Sequence, residues 1–360
     1  INKRIKYIMA YTTINKSSLN MNTKLYTGTG SSNSVTGVGF KPDWTWIKNR
    51  DQADEHNVYD VVRGATKRLI TNDSTVEGTQ SNGLSAFGSD GFTVVDSNAT
   101  NISNEKYAAW NWKAGTSFSN SAGANGASIA STGSINTAAG FSIVKYEATG
   151  SNATVGHGLG AVPKMIIVKD LEDTGGSNWA VYHSSLGNTK FLELNANAAP
   201  DTSSGLWNNT TPTSSVFTIG TNSRVNNSGN DFIAYCFADV QGFSKIGSYL
   251  GNGSADGAFI YTGFKPAFFM LKRTNTAGSD WSMWGYTSLS GFNSIGRRLF
   301  PNTNGAESSQ DSSPMADFLS NGIKLRQADG DYNGNDNTYI YMAFAEAPLV
   351  GTNNIPCTAR

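Results

Sequence analysis

Apolar positions along this chain fall in short bursts separated by Gly, Asn, Ser and Thr, and the bursts recur in the same order three times. Each round opens on an aromatic and a Gly-rich turn: Tyr26-Thr-Gly-Thr-Gly30, Tyr146-Glu-Ala-Thr-Gly150 and Tyr249-Leu-Gly-Asn-Gly253. A proline follows 16 or 17 residues later (Pro42, Pro163, Pro266), and after it a continuous apolar run ending in lysine: Trp44–Lys48, Met165–Lys169 and Phe268–Lys272. A continuous run of this length predicts a strand buried on both faces or at the centre of a sandwich. Proline just ahead of it removes no ladder hydrogen bond. The rounds close on Ala109–Ala114, Ala234–Asp239 and Tyr341–Glu346, where large residues alternate (Trp110 and Trp112, Tyr235 and Phe237, Met342 and Phe344) and so share one face of a strand. An apolar strand start recurs 20 or 21 residues before the closing aromatic, at Phe92, Phe217 and Ile323. A middle segment recurs as Asn178–Tyr182 and Asp280–Trp284, with Asn57–Tyr59 as a weaker first copy.

The rounds begin about 120 and then 103 residues apart, too far for a solenoid period, so they read as repeated domains. Alternating strands with frequent turn signals predict an all-β chain of three tandem related β-sandwich units of jelly-roll or lectin-like type. The expected division is an N-terminal arm over 1–25, repeats over 26–115, 141–240 and 241–348, a Gly/Ala/Ser-rich linker or loosely held edge segment over 116–140, and a tail over 349–360. Residues 1–8, basic and unlike the rest of the chain, are expected to lie upstream of an initiator at Met9. One helical piece is expected, at Pro314–Leu319.

Composition narrows the classes. Charged residues are 15% of the chain and balance at 27 against 27, so no global field would gather nucleic acid or an anionic membrane. No apolar run reaches the roughly 18 residues of a membrane span, and no membrane insertion is expected. Two cysteines make no disulfide framework; Cys236, in a closing strand, reads as a small buried side chain, and Cys357 lies in the tail.

Candidate chemistry is sparse. His56, His157 and His183 sit in unlike contexts, and the chain carries no G-x-S-x-G elbow or H-E-x-x-H pair, so none is expected to be catalytic. The close carboxylates, Glu172-Asp173, Asp51 with Asp54-Glu55, and Asp329 with Asp331, lie in polar turns where the buried acid of a glycosidase is not expected. Asp329-Gly-Asp-Tyr-Asn-Gly334 matches the start of a calcium loop, with Asp329, Asp331 and Asn333 as candidate ligands, but its twelfth position is Ile340 rather than Glu. It is a weak structural calcium candidate beside a plain Asx turn, and no other cofactor is expected. Among the aromatics, most of which belong to core strands, Trp207, Trp281 and Trp284 are the candidates for stacking on sugars.

Taken together, Gly37–Lys48, Asp60-Val-Val-Arg-Gly64, Gly88–Phe92, Ala109–Gly115, Gly156-His-Gly-Leu-Gly160 and Tyr339–Glu346 resemble a repeated domain of uncharacterised function in structural and tail-fibre-like proteins of marine bacteriophages. The resemblance spans roughly Met9 to Arg360. It implies a lectin-like β-sandwich protein exposed on a virion, as a tail fibre, adhesin or capsid decoration. It further implies other virion proteins and host-surface glycans as partners. A symmetric homo-oligomer, most simply a trimer, is the expected assembly, and a virion depolymerase is the alternative class.

Overall fold

The computed structural model describes residues 11–285 and 295–351 of the chain, and they form an all-β protein of several antiparallel sheets. Residues 1–8, Met9 and Cys357 lie outside the described residues. Three large sheets share one arrangement, in which the opening strand pairs with the closing strand, which pairs with the post-proline strand, which pairs with the middle strand. In the first repeat these are Met21–Thr27, Lys106–Trp112, Trp44–Asn49 and Asn57–Asp60; in the second, Phe141–Glu147, Asp231–Phe237, Met165–Asp170 and Ala180–His183; in the third, Ser244–Leu250, Thr338–Pro348, Phe264–Arg273 and Ser282–Trp284. The register repeats too: Trp112 pairs with Met21 and Trp44, Phe237 with Phe141 and Met165, Phe344 with Ser244 and Phe268.

Both faces of the closing and post-proline strands are buried, because each faces a different core. Trp44, Trp46, Trp110, Trp112, Ile167, Tyr235, Phe237, Phe268, Met342 and Phe344 all join one cluster that draws on all three repeats. The alternate positions (Ile47, Tyr107 and Ala109; Ile166, Val168 and Phe232; Phe269, Leu271 and Tyr339) enter three separate clusters with residues of smaller sheets such as Val35 and Phe92, Val155 and Phe217, Ile260 and Ile323. Burial on two sides is why these runs carry no polar alternation. Where the sheets meet, Trp112, Phe237 and Phe344 form a triangle with ring centroids 6.5, 5.7 and 6.1 Å apart. All three are about 1% exposed, as the repeat alignment requires.

The repeats close head to tail within one chain. Trp179 Nε1 of the second repeat donates to Ile70 O of the first (2.9 Å), and Trp281 Nε1 of the third donates to Glu193 O of the second (3.0 Å). The third junction returns to the first repeat: Thr71 Oγ1 donates to Pro301 O (3.0 Å), and Arg50 pairs with Glu307 at 2.7 Å. His56 occupies the position of Trp179 and Trp281 there, its backbone N–H held by Asn72 Oδ1 as theirs are by Asn195 and Asn302. Each post-proline strand carries a buried lysine near its end, and those of the second and third repeats reach a carbonyl of the preceding repeat. Lys169 Nζ donates to Ser74 O and Ser177 O, Lys272 to Asn197 O and Arg273 O, and Lys48 to Asn49 O and Gln52 O.

Two expectations are corrected. Of the two readings of the Gly/Ala/Ser-rich stretch 116–140, the linker is corrected and the edge segment is what forms: Thr116–Asn120 and Ser131–Asn136 pair as a hairpin at the edge of the second sheet, joined to it through Phe141–Glu147. Gly133 permits this, since a Cβ there would meet Ile143 O at 1.9 Å and the Phe118 ring at 2.7 Å. Pro314–Leu319 is not helical: Ala316–Leu319 is a strand paired with Gly322–Leu325. The tight Ser320-Asn321 connection before Gly322 favours that hairpin, and Phe318 and Met315 are buried by it. Helix among the described residues is confined to single turns at Ser17–Leu19, Asn98–Asn101, Ser204–Trp207 and Ser223–Asn226. No helix among them is long and apolar enough to cross a membrane.

Candidate functional site

The expected candidates are not brought together. His56 accepts from Trp46 Nε1 at 2.9 Å, and burial holds its pKa well below the ordinary value. His157 and His183 are both pushed down to about 4 by burial, each accepting a backbone N–H at Nδ1 (Leu159 and Ser185) and facing a carbonyl at Nε2 (Thr213 and Tyr341). All three are neutral packing groups at neutral pH. The close carboxylates hold turns: Glu172 accepts from Asp231 N, Asp51 from Lys106 N, and Asp329 from Asp331 N. Cys236 is buried, and burial pushes its thiol up to about 12.

The calcium candidate is corrected. Asn333 is buried, its Nδ2 donates to Ser254 O and Gln327 O at 2.8 Å, and its Oδ1 accepts Asn252 N. Asp331 faces Ser279 and Arg298. Asn333 is the third copy of an internal clamp. Asn101 grips Ser31 O, Val95 O and Thr29 N; Asn226 grips Ser151 O, Gly220 O and Thr149 N. In each repeat the amide ties the Gly-rich opening turn to the hairpin before the closing strand. An amide donating two hydrogen bonds there presents the wrong polarity to a cation.

The three tryptophans are corrected as well, for no ring face is available. Trp207 and Trp281 are 1% exposed and Trp284 is fully buried. Trp207 Nε1 donates to Lys190 O, Trp281 closes a junction between repeats, and Trp284 packs edge-on to Tyr332 at 5.2 Å. Asn208 and Asn209 beside Trp207 are turn residues, whereas Ser282 between the other two is a buried strand residue.

Among the described residues, the large exposed aromatics lie elsewhere, on the strand Phe259–Tyr261 at the edge of the third repeat's small sheet. Ile260 points inward at 3% exposure, while Phe259 (46%) and Tyr261 (55%) stand on the outer face. Positions two apart along a strand share a face and are roughly 7 Å apart. The counterparts of Ile260 are Val35 and Val155, which pair with Phe92 and Phe217 as Ile260 pairs with Ile323. So Phe259 and Tyr261 correspond to Ser34 and Thr36 in the first repeat and Thr154 and Gly156 in the second. The fold accepts small residues at both places.

Beside Tyr261 is a cavity of about 300 Å³ lined by Tyr11, Asp239, Gln241, Ser244, Lys245 and Tyr261. Tyr11 Oη donates to Gly263 O at 2.6 Å, bringing the N-terminal arm onto the third repeat. Gly263 has φ +81°, and a Cβ on it would lie 2.8 Å from Tyr11 Oη, so glycine is required for that approach. Asp239 is fixed by Ile246 N at 2.7 Å and by Lys164 and Lys245 at 2.9 and 3.4 Å. Aromatic faces, an amide and a charged pair around a shallow cavity are the makings of a polar-ligand site. A second cavity of about 310 Å³ lies under the 116–136 hairpin, against Phe118, Asn120, Asn125, Gly158 and Ser215.

Reading along the chain missed Phe259 and Tyr261 because they look like core strand residues. Setting Phe259-Ile-Tyr261 against Ser34-Val-Thr36 and Thr154-Val-Gly156 would have singled them out.

Residues 16–348 match the family described as Domain of unknown function (DUF7483), and the chain belongs to that family. No curated protein and no solved structure matches it.

Proposed function

We propose that this member of the family is a non-enzymatic structural protein exposed on the surface of a bacteriophage particle, as a tail fibre, adhesin or capsid decoration, and that it binds host-surface glycans. The reading rests on the sequence resemblance together with one observation: the third repeat alone places two exposed rings on an edge strand beside a polar cavity, where its sister repeats carry Ser, Thr and Gly. Rings of this kind offer flat apolar faces for the axial C–H edges of a sugar, while neighbouring amides and hydroxyls take its hydroxyl groups.

In this reading each large sheet and its small partner make one lectin-like β-sandwich, three in tandem. The head-to-tail contacts that a homotrimer would use are closed inside one chain, which favours a pseudo-threefold monomer over the expected trimer. Light scattering tests this: a mass near 38.3 kDa supports it, and a threefold larger mass restores the trimer. Antibody labelling of intact particles tests the location. Incubation with host-surface polysaccharide tests the activity: retention without new reducing ends supports a binding protein, and sustained sugar release abolished by one Asp→Asn change makes it a depolymerase.

A further inference from the structure

We infer that the cavity beside Tyr261 takes a carboxylate-bearing saccharide, a uronate rather than a neutral sugar; the inference rests on the glycan-binding reading above and names its ligand class. Local charge and the differences between repeats carry it. Asp239 is the carboxylate that Lys164 and Lys245 share, and its other oxygen is engaged by Ile246 N. One carboxylate against two ammonium groups leaves a local excess of one positive charge. Lys245 borders the cavity itself and is 41% exposed along its side chain, so the excess is presented to a ligand.

Lysine at this position is peculiar to the third repeat. Lys245 follows Ser244, which pairs with Phe344 as Met21 pairs with Trp112 and Phe141 with Phe237. Its counterparts are therefore Asn22 and Ser142. Asn22 Nδ2 serves an internal purpose, donating to Val38 O at 2.8 Å, and Ser142 is fully buried. Tyr261 likewise stands where the others have Thr36 and Gly156. Two unrelated strands thus depart from the common pattern in one repeat, and both departures border one cavity. A stacking face and a cation bordering one cavity match a pyranose ring that carries a carboxylate on its rim. Gln241 also lines the cavity and offers an amide to its hydroxyl groups.

The test uses the full chain with two probes, an oligogalacturonate and a neutral dextran oligosaccharide of equal length, titrated calorimetrically. Binding of oligogalacturonate is expected to weaken as salt rises from about 50 to about 300 mM, because the contact is a partly exposed ion pair. Lys245→Gln should weaken it about tenfold and Lys245→Arg should restore it. Tyr261→Ala should weaken both probes, and thermal melts of all three variants should match the parent. Equal affinity for dextran, or indifference to Lys245→Gln, overturns the anionic assignment and leaves glycan binding standing. Failure of both probes while host-surface polysaccharide is retained also overturns it. No retention of that polysaccharide removes the underlying reading as well.

Discussion

Removing the ring of Phe237 should destabilise the whole protein, not one repeat of it. The side chain is 1% exposed and lies where the three large sheets meet. It stacks on Phe141 at 5.0 Å within its own repeat and touches Trp44 (5.9 Å) and Trp112 (6.5 Å) of the first repeat and Phe344 (6.1 Å) of the third. Truncating a buried Phe to Ala costs about 3 to 5 kcal/mol once the cavity is included. The upper end is expected here, because rings from three different sheets cannot all move into one void without shifting their backbones. Urea unfolding followed by tryptophan fluorescence reads the effect as a lower midpoint at unchanged slope, in a single transition. Phe259→Ala is the control; at 46% exposure with no core role, it should stay within about 0.5 kcal/mol. A cost for Phe237→Ala under about 1 kcal/mol, or a split curve in which the second repeat melts alone, would refute the shared core.

Other outcomes can be checked alongside. Lys48, Lys169 and Lys272 are each pushed down to about 8 by burial. The unfolded chain then holds these protons at pH values where the folded chain has released them, so stability should rise from about pH 8 toward pH 10. Above that it should fall, because Tyr26, Tyr146, Tyr235 and Tyr249 are raised well above 10.0 by burial and ionise first in the unfolded chain. Denaturant midpoints across this range, with Lys169→Met expected to flatten the rise, test the sign. Asp60→Asn should cost about 3 kcal/mol in a thermal melt, since the buried Arg63 guanidinium loses its 2.5 Å ionic partner and keeps Glu77 at 3.3 Å as its carboxylate, beside the carbonyls of Lys67 and Val58; Tyr235, which donates to Asp60 from the second repeat, should then titrate differently. Asn226→Ala should cost about 2 to 3 kcal/mol by leaving Thr149 N, Ser151 O and Gly220 O without their partner. Hydrogen exchange should locate that loss at the opening turn of the second repeat.

Strand class and the equivalence of the closing-strand positions were legible in the residues. Trp112, Phe237 and Phe344 align by counting alone, and they occupy matching positions in the three sheets because side chains on a strand alternate strictly. Pro42 and Pro163 stand just before their long strands, whereas Pro266 lies inside Phe264–Arg273, at a shift of register against the closing strand. Less legible were segments whose local composition misled. Residues 116–136 are rich in small residues, yet pairing with Phe141–Glu147 holds them as a hairpin through backbone bonds that composition does not record. Trp207, Trp281 and Trp284 stand next to polar residues but are all drawn into core clusters, Trp281 with its Nε1 on a carbonyl of the neighbouring repeat. Asp329, Asp331 and Asn333 have calcium-loop spacing, but the Asn333 amide is turned to backbone acceptors. Spacing cannot tell an oxygen that faces a ligand from a nitrogen that faces a carbonyl.

The chain by itself determined that it would be β-structured, that it repeats three times, and which residues occupy equivalent places, since these follow from local periodicity and turn chemistry. Only the tertiary structure decided that both faces of each long strand are buried for different reasons, one in its own repeat and one at a centre shared by all three. That decision depends on contacts between residues a hundred or more positions apart, such as Trp44 on Tyr235 and Tyr11 on Gly263. The same packing decided which aromatics remain in water. Phe259 and Tyr261 are exposed because their edge strand has a core on one side only, and no pattern within their own segment separates them from the strands that are buried on both.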